Sequence, residues 1–275
     1  MRSFFDKYPV ADKVIAAGVS GGADSLALVL RLREWGDANG KKIVALTVDH
    51  GLRSEAAAEA AYVAEVMQRF GIEHHILRWE GEKPVHGIEE AAREARYALI
   101  AAWCREAGVR VLATGHHRRD QAETFLLRLI RGSGVSGLSG ILPVSERLGL
   151  MIIRPQLFDA PDDLKAYLEQ CGVAWVEDPS NRNEDFLRVK IRNYLPVLSA
   201  ELGLTEERLA ATAGILEKTR SFLDCEVAKF VKNHCRFWEK CGCSFAESVF
   251  LTLHEELQYR VLTQLFRQVG EKVYA

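Results

Sequence analysis

Val14-Ile15-Ala16-Ala17-Gly18-Val19-Ser20-Gly21-Gly22-Ala23-Asp24-Ser25 passes from an apolar run, through a small polar turn, into a segment of helical period over 24–35. A nearly continuous apolar run of this length is the pattern of a strand buried on both faces, as in a parallel sheet. Two adjacent glycines let the backbone turn tightly with its N–H groups inward, and the N-terminus of the following helix adds the positive end of its dipole. A strand, turn and helix joined in this way can cradle phosphate oxygens, and a carboxylate at Asp24 can hold a divalent cation on the same phosphates. The plainer reading is a glycine-rich turn in which Asp24 or Ser25 caps the helix.

Outward from this unit the same alternation continues. Apolar runs at 43–48 and 111–114, and a weaker one at 75–79, are separated by helical patterns at 54–70, 88–107 and 119–131. A further strand around Ile152-Ile153-Arg154-Pro155 and a helix from Asp162 extend the series. Such alternation predicts an α/β fold with a doubly wound, mostly parallel sheet joined by right-handed crossovers. Beyond about residue 200 the β signal stops, and 205–240 and 253–269 read as helices. We therefore expect a nucleotide-binding catalytic domain over 1–200 and a helical appendage over 201–275, the latter as the start of a truncated or missing C-terminal region.

Composition narrows the classes. At 275 residues with 48% hydrophobic and 27% charged, the chain is globular rather than disordered. A net charge of −2 excludes a uniformly basic nucleic-acid coat but leaves room for a local patch. No apolar run reaches the roughly 18 residues of a membrane span, and the N-terminus lacks a signal-peptide core. The six cysteines form no C-x-x-C pair, and Cys235, Cys241 and Cys243 with His234 match no common zinc spacing. The expectation is a soluble cytoplasmic protein with no membrane partner.

A second cluster, Gly115-His116-His117-Arg118-Arg119-Asp120-Gln121-Ala122-Glu123-Thr124, follows the apolar run at 111–114. In an open α/β sheet, ligands sit outside the carboxyl ends of the strands, so this segment and the first turn should face one crevice. Asp120 and Glu123, three apart, share a helix face; the alternative is acidic residues that merely complement the helix dipole. A literal G-x-G-x-x-G at Gly132, Gly134 and Gly137 follows a helix rather than a strand, which fails the dinucleotide-site context.

The S-G-G-x-D-S turn resembles the PP-loop of the ATP pyrophosphatases, whose members cleave ATP between its α and β phosphates. With H-H-x-x-D-Q-A-E-T from His116, Val48-Asp49-His50-Gly51-Leu52-Arg53 and Trp175-Val176-Glu177-Asp178-Pro179-Ser180-Asn181, the stretch from about 13 to 200 resembles the tRNA(Ile)-lysidine synthetase family. This resemblance implies an adenine nucleotide α-hydrolase-like fold and a carbon–nitrogen ligase. Its substrates would be ATP, with Mg²⁺, L-lysine and the wobble cytidine of a CAU-anticodon tRNA(Ile), which passes through an adenylated cytidine. The implied ATP-binding residues are Ser20, Gly21, Gly22, Ala23, Asp24, Ser25, His50 and His116, with Asp24 as the Mg²⁺ ligand. Asp24, Asp120 and Glu123 are the implied catalytic residues, the last two also binding lysine. The family often has a second aspartate where this chain has Arg119, and a homodimer is implied by the resemblance alone.

For the RNA, the resemblance implies contacts at Arg93 and Arg96. Arg182, Arg188, Lys190 and Arg192, set against Glu184 and Asp185 with Phe186 between them, suit an anticodon loop or a solvated linker helix. Two rival readings are a cytidine 2-thiolation enzyme, opposed by the missing C-x-x-C pair, and an inactive tRNA-binding module, opposed by the intact carboxylates.

Overall fold

The computed structural model describes residues 1–51, 56–81, 83, 84, 86–177, 186–238 and 242–273. After a short helix α1 (Arg2–Lys7), strands β1 (Val14–Gly18), β2 (Lys42–Asp49), β3 (Glu73–Arg78) and β4 (Val111–Ala113) alternate with helices α2 (Ala23–Asn39), α3 (Ala56–Arg69) and α4 (Ile88–Glu106). Then come α5 (Arg118–Ile130), the one-turn α6 (Val135–Leu138), β5 (Val144–Arg147), β6 (Leu150–Ile153) and α7 (Pro161–Gln170). The six strands form one sheet in the order β3-β2-β1-β4-β6-β5. All neighbours run parallel except β5, which returns antiparallel on β6. Strand order reverses at β1, with β2 and β3 laid to one side and β4 to the other, so the crevice beyond the carboxyl ends of β1 and β4 is the topological switch point.

The apolar runs are strands because both faces of the sheet are covered. Ile15, Ala17, Ala45 and Ala113 pack with α2, α3 and α7 on one face, and Ala16, Val44, Leu46 and Leu112 pack with α4 on the other. Helix α2 is buried on nearly every side, through Leu26, Leu28, Leu30 and Leu32. Its N-terminus is therefore held firmly against the sheet.

Beyond the sheet lie α8 (Leu187–Leu202), α9 (Glu206–His234), β7 (Arg236–Trp238), β8 (Gly242–Ser244), α10 (Glu247–Phe250) and α11 (Glu255–Val273). Phe125 and Leu126 of α5, Ile191 and Leu195 of α8, and Leu209 and Ala213 of α9 share one small core. Val227, Phe230 and Val231 of α9 form another with Val261 and Leu265 of α11.

Two expectations need correction. The helix read over 205–240 ends at His234, because Cys235 turns extended with φ −102° and ψ 137°. A β signal also returns beyond residue 200, where β7 and β8 pair antiparallel. Strands of three residues are too short for an alternating pattern to register in the sequence. Among the described residues, no helix is long and apolar enough to cross a membrane.

Candidate active site

The turn after β1 is held by its own side chains. Ser25 Oγ accepts from the Ser20 N–H at 3.1 Å and donates to the Gly22 carbonyl at 2.9 Å. The Gly21 carbonyl accepts from the Val176 N–H at 2.9 Å, which ties the turn to the segment after α7. Gly21 has φ +86°, and a Cβ there would lie 3.3 Å from Val63 Cγ2, so this is the position that requires glycine. Gly22 has φ −75°, open to any residue, and is the N-cap of α2 without a side-chain cap. The Ser25 N–H already bonds the Gly22 carbonyl at 3.2 Å, which leaves the N–H groups of Ala23 and Asp24 without a side-chain cap, an arrangement suited to an anion.

Across the switch point, α5 begins on the carboxyl side of β4. His117 is its N-cap: its Nδ1 accepts from the Asp120 N–H at 3.4 Å while Asp120 Oδ2 accepts from the His117 N–H at 3.0 Å, a reciprocal capping box. The other ring nitrogen, His117 Nε2, lies 3.3 Å from Asp24 Oδ2. One buried imidazole therefore joins the phosphate turn to the carboxylate helix.

Glu123, one turn further along α5, is fully buried. Arg188 Nε donates to its Oε2 at 2.6 Å and Arg192 Nε to its Oε1 at 2.7 Å. Arg188 Nη2 also donates to Asp120 Oδ1 at 2.7 Å, so this guanidinium spans both carboxylates. A buried carboxylate needs such pairing to stay ionised.

The neighbouring histidines have opposite proton affinities. Burial pushes His116 down to about 4; Asp120 opposes this, but Arg154, Arg188 and Arg93 reinforce it, so the ring is neutral at pH 7. Burial also works against charge on His117, yet the hydrogen bond to Asp24 and the fields of Asp120, Asp24 and Glu123 prevail and raise it. His50, at the end of β2, is lowered by burial and by Arg96, and its Nδ1 is buried without a partner among the described residues.

The structure thus brings Ser20 to Ser25, His116, Asp120 and Glu123 to one crevice, with His50 one strand away. Arg188 and Arg192 lie inward on the carboxylates, whereas Lys190 on the same helix is exposed. Arg93 and Arg96 are exposed on α4; Arg182 and the end of the Trp175 motif lie outside the described residues. Arg119, in place of the frequent family aspartate, pairs with Glu206 of α9 at 2.6 Å. The link from His117 to Asp24 is not legible in the sequence; its one local signal is a histidine three residues before an aspartate at a helix start.

Compared with known proteins, residues 1–198 match the family model described as PP-loop domain. The chain is 43% identical over 219 residues to a tRNA(Ile)-lysidine synthase of Bradyrhizobium sp. strain BTAi1, covering 78% of this chain and 61% of the relative. It is 39% identical over 279 residues to that of Bradyrhizobium diazoefficiens, covering 98% of this chain and 77% of the relative. Among solved structures, the U34-tRNA thiolase of Methanococcus maripaludis superposes with a TM-score of 0.66 at 17% identity, over 78% of this chain and 77% of that one, a likeness of fold.

Proposed function

The chain belongs to the PP-loop family and, within it, to the tRNA(Ile)-lysidine synthases, and from that premise we propose that it ligates L-lysine to C2 of the wobble cytidine in the CAU anticodon of tRNA(Ile). The observation that carries the reading is the contact chain from Asp24 through His117 to Asp120, and through Arg188 on to Glu123, across the switch point. It sets a phosphate turn directly beside a carboxylate pair suited to an ammonium group.

The chemistry divides along that chain. A cytosine C2 carbonyl is a poor electrophile. Its oxygen attacks the α-phosphorus of ATP, pyrophosphate departs, and the oxygen becomes part of a good leaving group. The lysine ε-amine then adds at C2 and AMP leaves with the former carbonyl oxygen. The uncapped α2 N-terminus and the turn N–H groups hold the phosphates, and His117 keeps the Asp24 carboxylate beside them through its Nε2 contact. His116, neutral, offers a hydrogen bond without adding charge.

Mg²⁺ fits this site: the Asp24 side chain is 41% exposed, with His117 at one oxygen. A single carboxylate together with substrate phosphates is a usual way to hold this ion. When bound, it would neutralise charge on the departing pyrophosphate.

Free lysine has an ε-ammonium pKa near 10.4, so only about one molecule in a few thousand is neutral at pH 7. Asp120 and Glu123 bind that ammonium, and Asp120 takes one of its protons so that the freed ε-amine lone pair can form the C–N bond. Arg188 occupies that place; at 42% exposure it is the more accessible of the two guanidiniums, and lysine binding requires it to swing outward while Glu123 keeps Arg192. Lys190, Arg93 and Arg96 line the approach for RNA phosphates. The test is incorporation of labelled lysine into a CAU-anticodon tRNA(Ile) transcript, with AMP counted against ADP. ATP-dependent labelling with AMP release is expected; AMP without labelling reassigns the acceptor, and no nucleotide turnover removes the reading.

A further inference from the structure

We propose that the turn 154–159, and Gln156 above all, is a positioning bracket that sets Asp24 for ATP. The inference rests on the reading of the β1 turn as an ATP site. Gln156 lies three residues after the end of β6, belongs to neither conspicuous motif, and is fully buried. Its Nε2 donates to the Asp24 carbonyl at 2.7 Å, across 132 residues of sequence. Its Oε1 is buried with no partner among the described residues. A buried amide that leaves its own oxygen unpaired is unfavourable in itself, so its contribution lies in the bond to Asp24.

The same peptide is gripped from a second side. A Cβ on Gly115 would lie 3.0 Å from the Asp24 carbonyl oxygen and 3.1 Å from Ser25 N, so the segment after β4 presents a bare Cα to the face of the Asp24–Ser25 peptide. Three residues after Gln156, the Asp159 carbonyl accepts from the Arg118 N–H at 3.0 Å, at the first residue of α5, and the Asp159 carboxylate pairs with Arg31 of α2. One short turn therefore holds the N-termini of both helices that face the crevice. A shift of Gln156 moves Asp24 relative to His117 and Asp120, with no contact of its own to a substrate.

The test measures MgATP affinity by titration calorimetry, with thermal unfolding alongside. Gln156→Leu should weaken MgATP about tenfold while the unfolding midpoint does not fall, because the unpaired oxygen leaves together with the donor. Gln156→Glu tests the donor itself. Its buried carboxyl, with a raised pKa, donates to Asp24 when protonated and repels that carbonyl when ionised, so MgATP affinity should drop between pH 6 and 9 more steeply than in the wild type. MgATP affinity within twofold of wild type in Gln156→Leu overturns the bracket. So does weakening in Gln156→Leu without the extra pH dependence in Gln156→Glu, since that reduces the role to packing. If Gln156→Leu does not fold, Gln156→Met, which keeps the side-chain length without the donor, takes its place in the same MgATP titration. Lysine incorporation by the wild type is run in parallel; its failure with both Gln156 effects intact removes the proposed ligation and leaves the bracket standing.

Discussion

The two walls of the crevice are built on opposite electrostatic plans. On the β1 side, binding capacity is main chain: an uncapped helix N-terminus, a turn stapled by Ser25, and one half-exposed carboxylate, Asp24. On the α5 side, it is side chain: a buried glutamate and a partly buried aspartate, matched by two arginines from α8. Backbone N–H groups cannot be titrated or moved apart, which suits a ligand of invariant charge such as a polyphosphate. Paired side chains can exchange partners, which suits a cation that must arrive charged and react neutral. His117 stands between the walls and belongs to both.

The largest break in this contrast should come at Gly21. A valine there must adopt φ near +86° against Val63, and ATP turnover should fall more than a hundredfold in a tRNA-dependent AMP-release assay; turnover within threefold of wild type would refute the assignment of the turn. On the other wall, Asp120→Ala should leave MgATP affinity within a few-fold but reduce lysine transfer by about 10²–10⁴, the span of a lost acid–base group. Near wild-type transfer would exclude Asp120 as the proton acceptor.

Glu123→Ala separates structure from chemistry. It strips the buried partner from two guanidiniums that are 42% and 32% exposed and so can regain water. The loss in stability should be about 2–4 kcal/mol, below the full penalty of an orphaned buried charge; denaturant unfolding measures it, and a loss under 1 kcal/mol would show the pairs to be incidental.

His117 sharpens the comparison through pH. Its pKa is raised above the ordinary 6.5, so its charged form is favoured by folding. Its contribution is fully present below 6.5 and is lost as pH rises through the elevated value. His117→Asn should therefore lower the unfolding midpoint at pH 6 more than at pH 9; an equal drop at both would show that charge plays no part. The smallest effect is expected at exposed Lys190: Lys190→Ala should weaken tRNA binding a few-fold and reduce the salt slope by about 1, with lysine KM unchanged.

Elements that rest on local pattern are legible in the order of the residues alone. The apolar runs at β1, β2 and β4, the glycine pair before α2, and the three-residue spacing of Asp120 and Glu123 are properties of neighbouring residues, so hydrophobic period and turn chemistry expose them. The antiparallel β5 and the hairpin of β7 and β8 are not legible in the same way because their residues are mixed in polarity and partly or wholly exposed, whereas the equally short β4 is an apolar run buried on both faces. Which carboxylate is buried, and what neutralises it, was a tertiary decision. Glu123 meets Arg188 and Arg192 across 65 and 69 residues, and Gln156 meets Asp24 across 132. Arg188, Lys190 and Arg192 look alike in a sequence, and Ile191 and Leu195 of α8 pack on α5; that packing turns two of the three cations inward and leaves the third in solvent. A charge count cannot distinguish them, because the sign of a side chain is local while its burial depends on which surface folds over it.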